Sequence, residues 1–96
     1  MIGDVLKRMR IIYDYKAKDM SNLLDISPSY LSEIENGKKQ PSLDLLQRYA
    51  NVFGVKVSSL ILLSEKIENV EENQQVVKKM MKYLIEIMSD IKNEDD

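Results

Sequence analysis

The 96-residue sequence predicts an all-α protein, with five short helices in one small domain followed by a long sixth helix. Three observations carry this expectation. Apolar residues recur at i, i+3, i+4 and i+7 nearly throughout, and no four-residue stretch alternates as a strand would. Ser27-Pro28, Asn36-Gly37, Pro41-Ser42 and Gly54 fall between the periodic segments, where helix caps belong. The last third of the chain contains neither Gly nor Pro.

The first helix is expected from about Ile2 to Tyr13, with Ile2, Val5, Leu6, Met9 and Tyr13 on one face. A second spans about Ala17 to Leu24 and buries Met20, Leu23 and Leu24. The third starts at Ser27-Pro28: Ser is a preferred N-cap, and Pro suits the first helical position, where its missing N–H costs nothing. It carries Leu31 and Ile34 inward and stops at Asn36-Gly37. The fourth opens with Ser42 as N-cap, buries Leu43, Leu46, Ala50 and Phe53, and ends at Gly54. The fifth covers about Ser58 to Leu63 and has room to continue. The sixth runs from about Glu68 to Lys92.

Composition excludes several classes of function. The chain has no Cys and no His, so disulfides, thiolate nucleophiles, the commonest metal ligand and the commonest general base near neutrality are all missing. The carboxylates and tyrosines form no catalytic constellation, and neither an enzyme, a metal site nor a cofactor is expected. The longest apolar run, Leu60-Ile61-Leu62-Leu63, is far short of the ~20 residues of a membrane span. Met1-Ile2-Gly3-Asp4, followed by Lys7, Arg8 and Arg10, holds no apolar signal core, which makes a soluble, cytoplasmic chain the expectation. The net charge of −2 hides an asymmetry. Residues 1–66 carry 10 basic and 8 acidic side chains, whereas residues 67–96 carry 4 and 8. An anionic partner therefore belongs with the first two-thirds.

The second and third helices, joined tightly through Leu24-Asp25-Ile26-Ser27, have the pattern of a helix-turn-helix: Leu-Leu ends one helix, an aliphatic residue plugs the core and a Ser caps the next. The stretch Ile26-Ser27-Pro28-Ser29-Tyr30-Leu31-Ser32-Glu33-Ile34-Glu35-Asn36-Gly37-Lys38 resembles the recognition half of the lambda repressor/Cro-type (Xre) DNA-binding domain. Ile2-Gly3 with Leu6, Met9 and Arg10 resembles its first helix. Pro41-Ser42-Leu43, Ala50, Phe53-Gly54-Val55 and Leu60 resemble its fourth and fifth. The resemblance covers residues 2–63 and implies a five-helix, lambda-repressor-like fold with the long C-terminal helix appended. The organisation expected is a DNA-binding domain at residues 1–65 and a dimerisation helix with an acidic tail at 66–96.

By this resemblance the third helix lies in the major groove of double-stranded DNA, with Pro28, Ser29, Ser32 and Glu33 facing base edges and Tyr30 flanking them. No Arg, Gln or Asn is present there to make the strongest bidentate base contacts. Glu33 can accept from a cytosine N4 amine, Ser29 and Ser32 can bond to almost any edge, and the ring of Pro28 can touch a thymine methyl. The alternative for this face is a solvated helix surface. Ser27, at the cap, is counted with the DNA-binding residues, and phosphate contacts are implied for the N-terminal end of the second helix, at Lys16, Ala17 and Lys18. They are implied too for the loop after the third helix, at Asn36, Lys38 and Lys39, with Gln40 beside them. The sequence departs from the family where Lys16 replaces the usual Ser/Thr cap and Ala17 replaces a phosphate-binding Gln. Asp14 and Asp25 take turn positions where Gly is common, and Asp tolerates the left-handed backbone better than most residues. The resemblance also implies a structural ion pair between Arg10 and Glu35. The physical reading agrees, because an Arg on a core-facing helix needs a nearby carboxylate.

In the C-terminal segment Val70, Val77, Leu84 and Ile91 recur every seven residues, with Asn73, Met80 and Ile87 at the intermediate positions. Met81, Ile85 and Met88 widen the apolar face beyond a two-stranded seam. Either the helix folds back on its own domain, or it pairs with a second copy through Val70, Val77, Met80, Leu84, Ile87 and Ile91. Leu60 and Leu63 of the fifth helix would add to that dimer contact, the alternative being a fully buried fifth helix. Two functions compete. The leading one is a sequence-specific transcriptional regulator, a repressor of bacterial or phage type, acting as a homodimer on a palindromic operator. The other is a protein-interaction module, such as an antitoxin or co-regulator, that holds a second protein through the Met-containing C-terminal helix and binds DNA weakly.

Overall fold

The computed structural model describes residues 2–68 together with Lys82, Ile85 and Glu86. Five helices follow in order: α1 (Ile2–Ile12), α2 (Ala17–Leu24), α3 (Pro28–Glu35), α4 (Leu43–Phe53) and α5 (Val57–Glu68). No strand occurs among the described residues, and none of their helices is long and apolar enough to cross a membrane. α1 packs on α3 and α5, α2 on α3 and α4, and α4 on α5.

The punctuation residues act as their chemistry requires. Ser27 and Ser42 cap α3 and α4, their hydroxyls accepting from the backbone N–H of Tyr30 at 3.0 Å and of Leu45 at 3.1 Å. Gly54 ends α4 in the left-handed region at φ 70°, and Val55 N–H closes the turn on Ala50 O at 3.0 Å. Asp14 and Asp25 take the same conformation at φ 61° and 58°, each ending a helix without a glycine. Asp25 N–H donates to Asn22 O and Ile26 N–H to Ser21 O, which closes the α2–α3 turn.

The core is built from Val5, Leu6 and Met9 of α1, Met20 and Leu24 of α2, Leu31 and Ile34 of α3, five residues of α4, and Leu60 and Leu63 of α5. On its α4 side Phe53 stacks on Tyr13 with ring centroids 5.0 Å apart and tilts against Tyr49 at 5.9 Å. Where α1 crosses α3, Gly3 presses so closely on Ile34 that a Cβ there would collide with the Ile34 carbonyl oxygen.

Four apolar placements differ from the sequence reading. Leu23 is 54% exposed, because α2 turns Met20, Ser21 and Leu24 inward and Leu23 falls outside that stripe. Ser21 takes the buried place with its hydroxyl donating to Lys18 O at 2.7 Å. Leu43 is 69% exposed at the first turn of α4, and Leu45 and Tyr49 fill the core in its stead. Leu60 and Leu63 are 1% and 0% exposed, packed into the core of their own chain, and offer no surface to a second copy. The exposed apolar residues of α5 are Ile61 and Leu62. Val70, Val77, Met80, Leu84, Ile87 and Ile91 lie outside the described residues. Ile85, by contrast, is helical and buried in the same core as Leu60 and Leu63.

Candidate nucleic-acid interface

The outer face of α3 begins at its cap. Because the Ser27 hydroxyl is held by Tyr30 N–H, helix geometry starts at Pro28, and the following spacing sends Leu31 and Ile34 into the core. Pro28, Ser29 and Ser32 are thereby left exposed, with Tyr30 and Glu33 half-buried beside them. At the far end Asn36 caps the helix and its side-chain amide donates to the Ser32 hydroxyl at 3.2 Å. Gly37 turns the chain at φ 74°. The loop then folds back: Lys38 and Lys39 both direct backbone N–H groups at Glu33 O, at 2.9 and 3.3 Å. That return brings the Lys39 ammonium to 3.5 Å from Glu33 Oε2 and to 5.8 Å from the centre of the Tyr30 ring. Lys38 is exposed and has no carboxylate partner among the described residues.

The structure therefore joins Tyr30, Glu33 and Lys39 into one polar cluster and links Ser32 to Asn36. Lys16, Ala17 and Lys18 stand apart from it, all exposed at the start of α2. No side chain caps that helix end, since Lys16 has no acceptor to offer. The first-turn N–H groups and two lysines are thus directed at solvent, which suits an anion, although Asp19 in the same turn opposes one.

Beneath α3 a second set of residues holds it in position. Arg10 grips Glu35 with two parallel bonds, Nε to Oε2 at 2.7 Å and Nη2 to Oε1 at 3.1 Å, and its Nη1 donates to Tyr15 O at 2.9 Å. Both side chains are nearly buried, so fork geometry and the third bond are what offset their desolvation. Arg48 of α4 does comparable service at the turn. Its Nη1 donates to Leu24 O at 3.1 Å, satisfying a last-turn carbonyl of α2, while Nη2 pairs with Asp44 at 2.9 Å. Tyr49 is fully buried and its hydroxyl has no hydrogen-bond partner. Burial, reinforced by the charge of Glu35, pushes its phenol well above the ordinary value of 10.0.

The pairing of Glu33 with Lys39 and the role of Arg48 were missed in the sequence. The first depends on a loop that doubles back and the second on where α4 crosses α2. For Tyr49 the signal was available: it follows Leu45 and Leu46 at i+4 and i+3 on the core stripe.

The helix-turn-helix family matches residues 6–60 of this chain. Among curated relatives, the HTH-type transcriptional regulator DdrOP3 of Deinococcus deserti is 36% identical over 56 residues, covering 58% of this chain and 43% of the relative. The transcriptional regulator ClgR of Mycobacterium tuberculosis is 32% identical over 62 residues, covering 65% and 55%. The immunity repressor protein of Bacillus phage phi105 is 29% identical over 98 residues, covering 98% of this chain and 67% of the relative. The chain spans about half the length of the first two. No solved structure matches it. The capped α3, the closed turn before it and the match across both place the chain in the Xre/lambda repressor-type helix-turn-helix family, in which the relatives above are transcriptional regulators and a phage immunity repressor.

Proposed function

We propose that this chain is a sequence-specific transcriptional repressor that acts in the cytoplasm as a homodimer on a palindromic operator. The observation that carries the reading is the outer face of α3, where Ser29, Ser32 and Glu33 are free of the core and a lysine-bearing loop is folded against them. Small hydroxyls and one carboxylate read base edges, and Lys16, Lys18, Asn36 and Lys38 meet phosphates and set the register. Repression, rather than activation, is supported by the immunity repressor similar to this chain over nearly its whole length.

Association supplies what the single domain lacks. With Ala17, Pro28 and two Ser side chains at the contact, one domain has few strong bonds to DNA. Two domains on one duplex, with their α3 helices roughly 34 Å apart, make the second docking intramolecular. Residues 1–65 form the DNA-binding part in this reading and residues 66–96 the dimerisation part. The seven-residue repeat of Val70, Val77, Leu84 and Ile91 supports it, as do Ile61 and Leu62, exposed on α5. The burial of Ile85 supports a division of labour on that segment: the Ile85 side packs on its own domain and the adjacent heptad seam meets the second copy.

Gel shift against the DNA upstream of its own gene, with sedimentation equilibrium on the full chain at micromolar concentration, tests both halves. A retarded complex and a dimer mass are expected. Absence of binding to any duplex overturns the DNA reading. A monomer in sedimentation overturns the dimer.

A further inference from the structure

Glu33 is a carboxylate on a surface meant to approach a polyanion. Left bare it would be repelled by the phosphates on both sides of the groove. The structure does not leave it bare: the ammonium of Lys39 lies 3.5 Å from Oε2 and caps the ring of Tyr30, while two N–H groups of the loop bind the carbonyl of the same Glu33. The partners remain substantially exposed, at 58% for Lys39 and 38% for Glu33. Exposed pairs of this kind add little to folding. Its use is therefore to be sought at the ligand.

We infer that Lys39 is a specificity-determining residue that works jointly with Glu33 to read one G·C base pair, and is not a phosphate anchor like its neighbour Lys38. The inference rests on the DNA-binding function proposed above. A G·C pair shows the major groove the guanine N7 and O6 acceptors followed immediately by the cytosine N4 donor. The Lys39–Glu33 pair presents a donor and an acceptor side by side, in the complementary order. Lys39 gives its protons to O6 and N7, and Glu33 accepts from N4. An A·T pair keeps the N7 acceptor but sets an amine where Lys39 meets O6, and a T carbonyl where Glu33 needs a donor. It is rejected at both places. Lys38 is joined to the cluster only through its backbone, which leaves its side chain for the phosphates.

Binding-site selection with the full-length wild type and with Lys39→Ala, Glu33→Ala and Lys38→Ala tests this, with affinities at matched salt for the selected site and for the site carrying A·T at the position in question. Wild type is expected to require G·C at one position per half-site. Both Lys39→Ala and Glu33→Ala should relax the requirement at that same position, lowering discrimination by roughly tenfold. Lys38→Ala should weaken all sequences alike and keep the motif. Thermal melting should be nearly the same for the three variants. If Lys39→Ala weakens every sequence equally with the preference intact, or if the two variants relax different positions, Lys39 is not a reader and the inference fails alone. If the wild-type chain selects no sequence, the inference fails together with the function beneath it.

Discussion

Tyr49 is the residue whose chemistry is least at ease with its surroundings. Its ring fills the core beside Phe53, within reach of the charge of Glu35, but its hydroxyl is sealed from water without a partner. An unmet buried hydroxyl costs ~1–3 kcal/mol, so Tyr49→Phe, which keeps the ring, should leave stability unchanged or raise it by about 1 kcal/mol in urea denaturation. The same burial gives a pH signature. The folded protein keeps the phenolic proton after the unfolded chain has released it near pH 10.0. The folded state then binds more protons than the unfolded one, and raising the pH favours unfolding. The contribution is fully present below pH 10.0 and is lost above it, with a slope approaching ~1.4 kcal/mol per pH unit for this one proton. Stability measured against pH between 9 and about 11.5 should fall more steeply for wild type than for Tyr49→Phe. Parallel curves would show that the phenol titrates normally.

At the scale of elements, α3 is held by three contacts from two helices: the Arg10–Glu35 fork and the backbone approach at Gly3 from α1, and the turn that Arg48 steadies from α4. Gly3 gives the clearest test. Within a helix Gly→Ala normally stabilises by ~0.5–1 kcal/mol. Here the added methyl meets the carbonyl of Ile34, and backbone cannot rotate out of the way as a side chain can. Gly3→Ala should therefore lower stability by about 1–3 kcal/mol and, by displacing α3, weaken specific DNA binding more than non-specific binding. Denaturation and gel shift measure the two effects. A variant as stable as wild type would mean that α1 and α3 stand further apart. The left-handed Asp14 and Asp25 belong to the same scale: they show that the turns flanking α2 form with Asp in place of Gly.

For the whole molecule the deciding segment is the one beyond α5, where Ile85 and Leu84 are neighbours with different expected duties. Ile85 is 4% exposed and belongs to the core. Ile85→Ala should cost ~2–5 kcal/mol of folding stability, read by thermal or urea denaturation. Leu84→Asp sets a charge in the proposed seam and should halve the mass in sedimentation equilibrium while leaving the helical circular dichroism of the domain in place. Loss of fold from Leu84→Asp, with a wild-type chain already monomeric, would assign both residues to intrachain packing.

The five helices were legible in the sequence because their signals are local. Ser27, Pro28, Ser42 and Gly54 cap or end a helix through atoms only a few residues away, and the periodic apolar positions need nothing but helix geometry to share a face. The outward-facing residues of α3 were legible for the same reason, once Leu31 and Ile34 define the inside. What periodicity leaves open is which edge of an apolar stripe a neighbour covers. Leu23 and Leu43 sit at such edges and are exposed, while Leu60 and Leu63 are drawn into the core of their own chain and Ile61 and Leu62 are turned out. The Lys39–Glu33 pair, the Arg48 bond to Leu24 and the orphaned hydroxyl of Tyr49 depend on how separate segments meet. The sequence by itself determined, to within a residue, where α1 to α4 start and stop and which residues of α3 face outward, whereas it left open the end of α5, which runs on to Glu68. Only the tertiary structure decided which of those side chains are held together and which apolar residues stay in water, because those depend on distances between segments that no local spacing encodes.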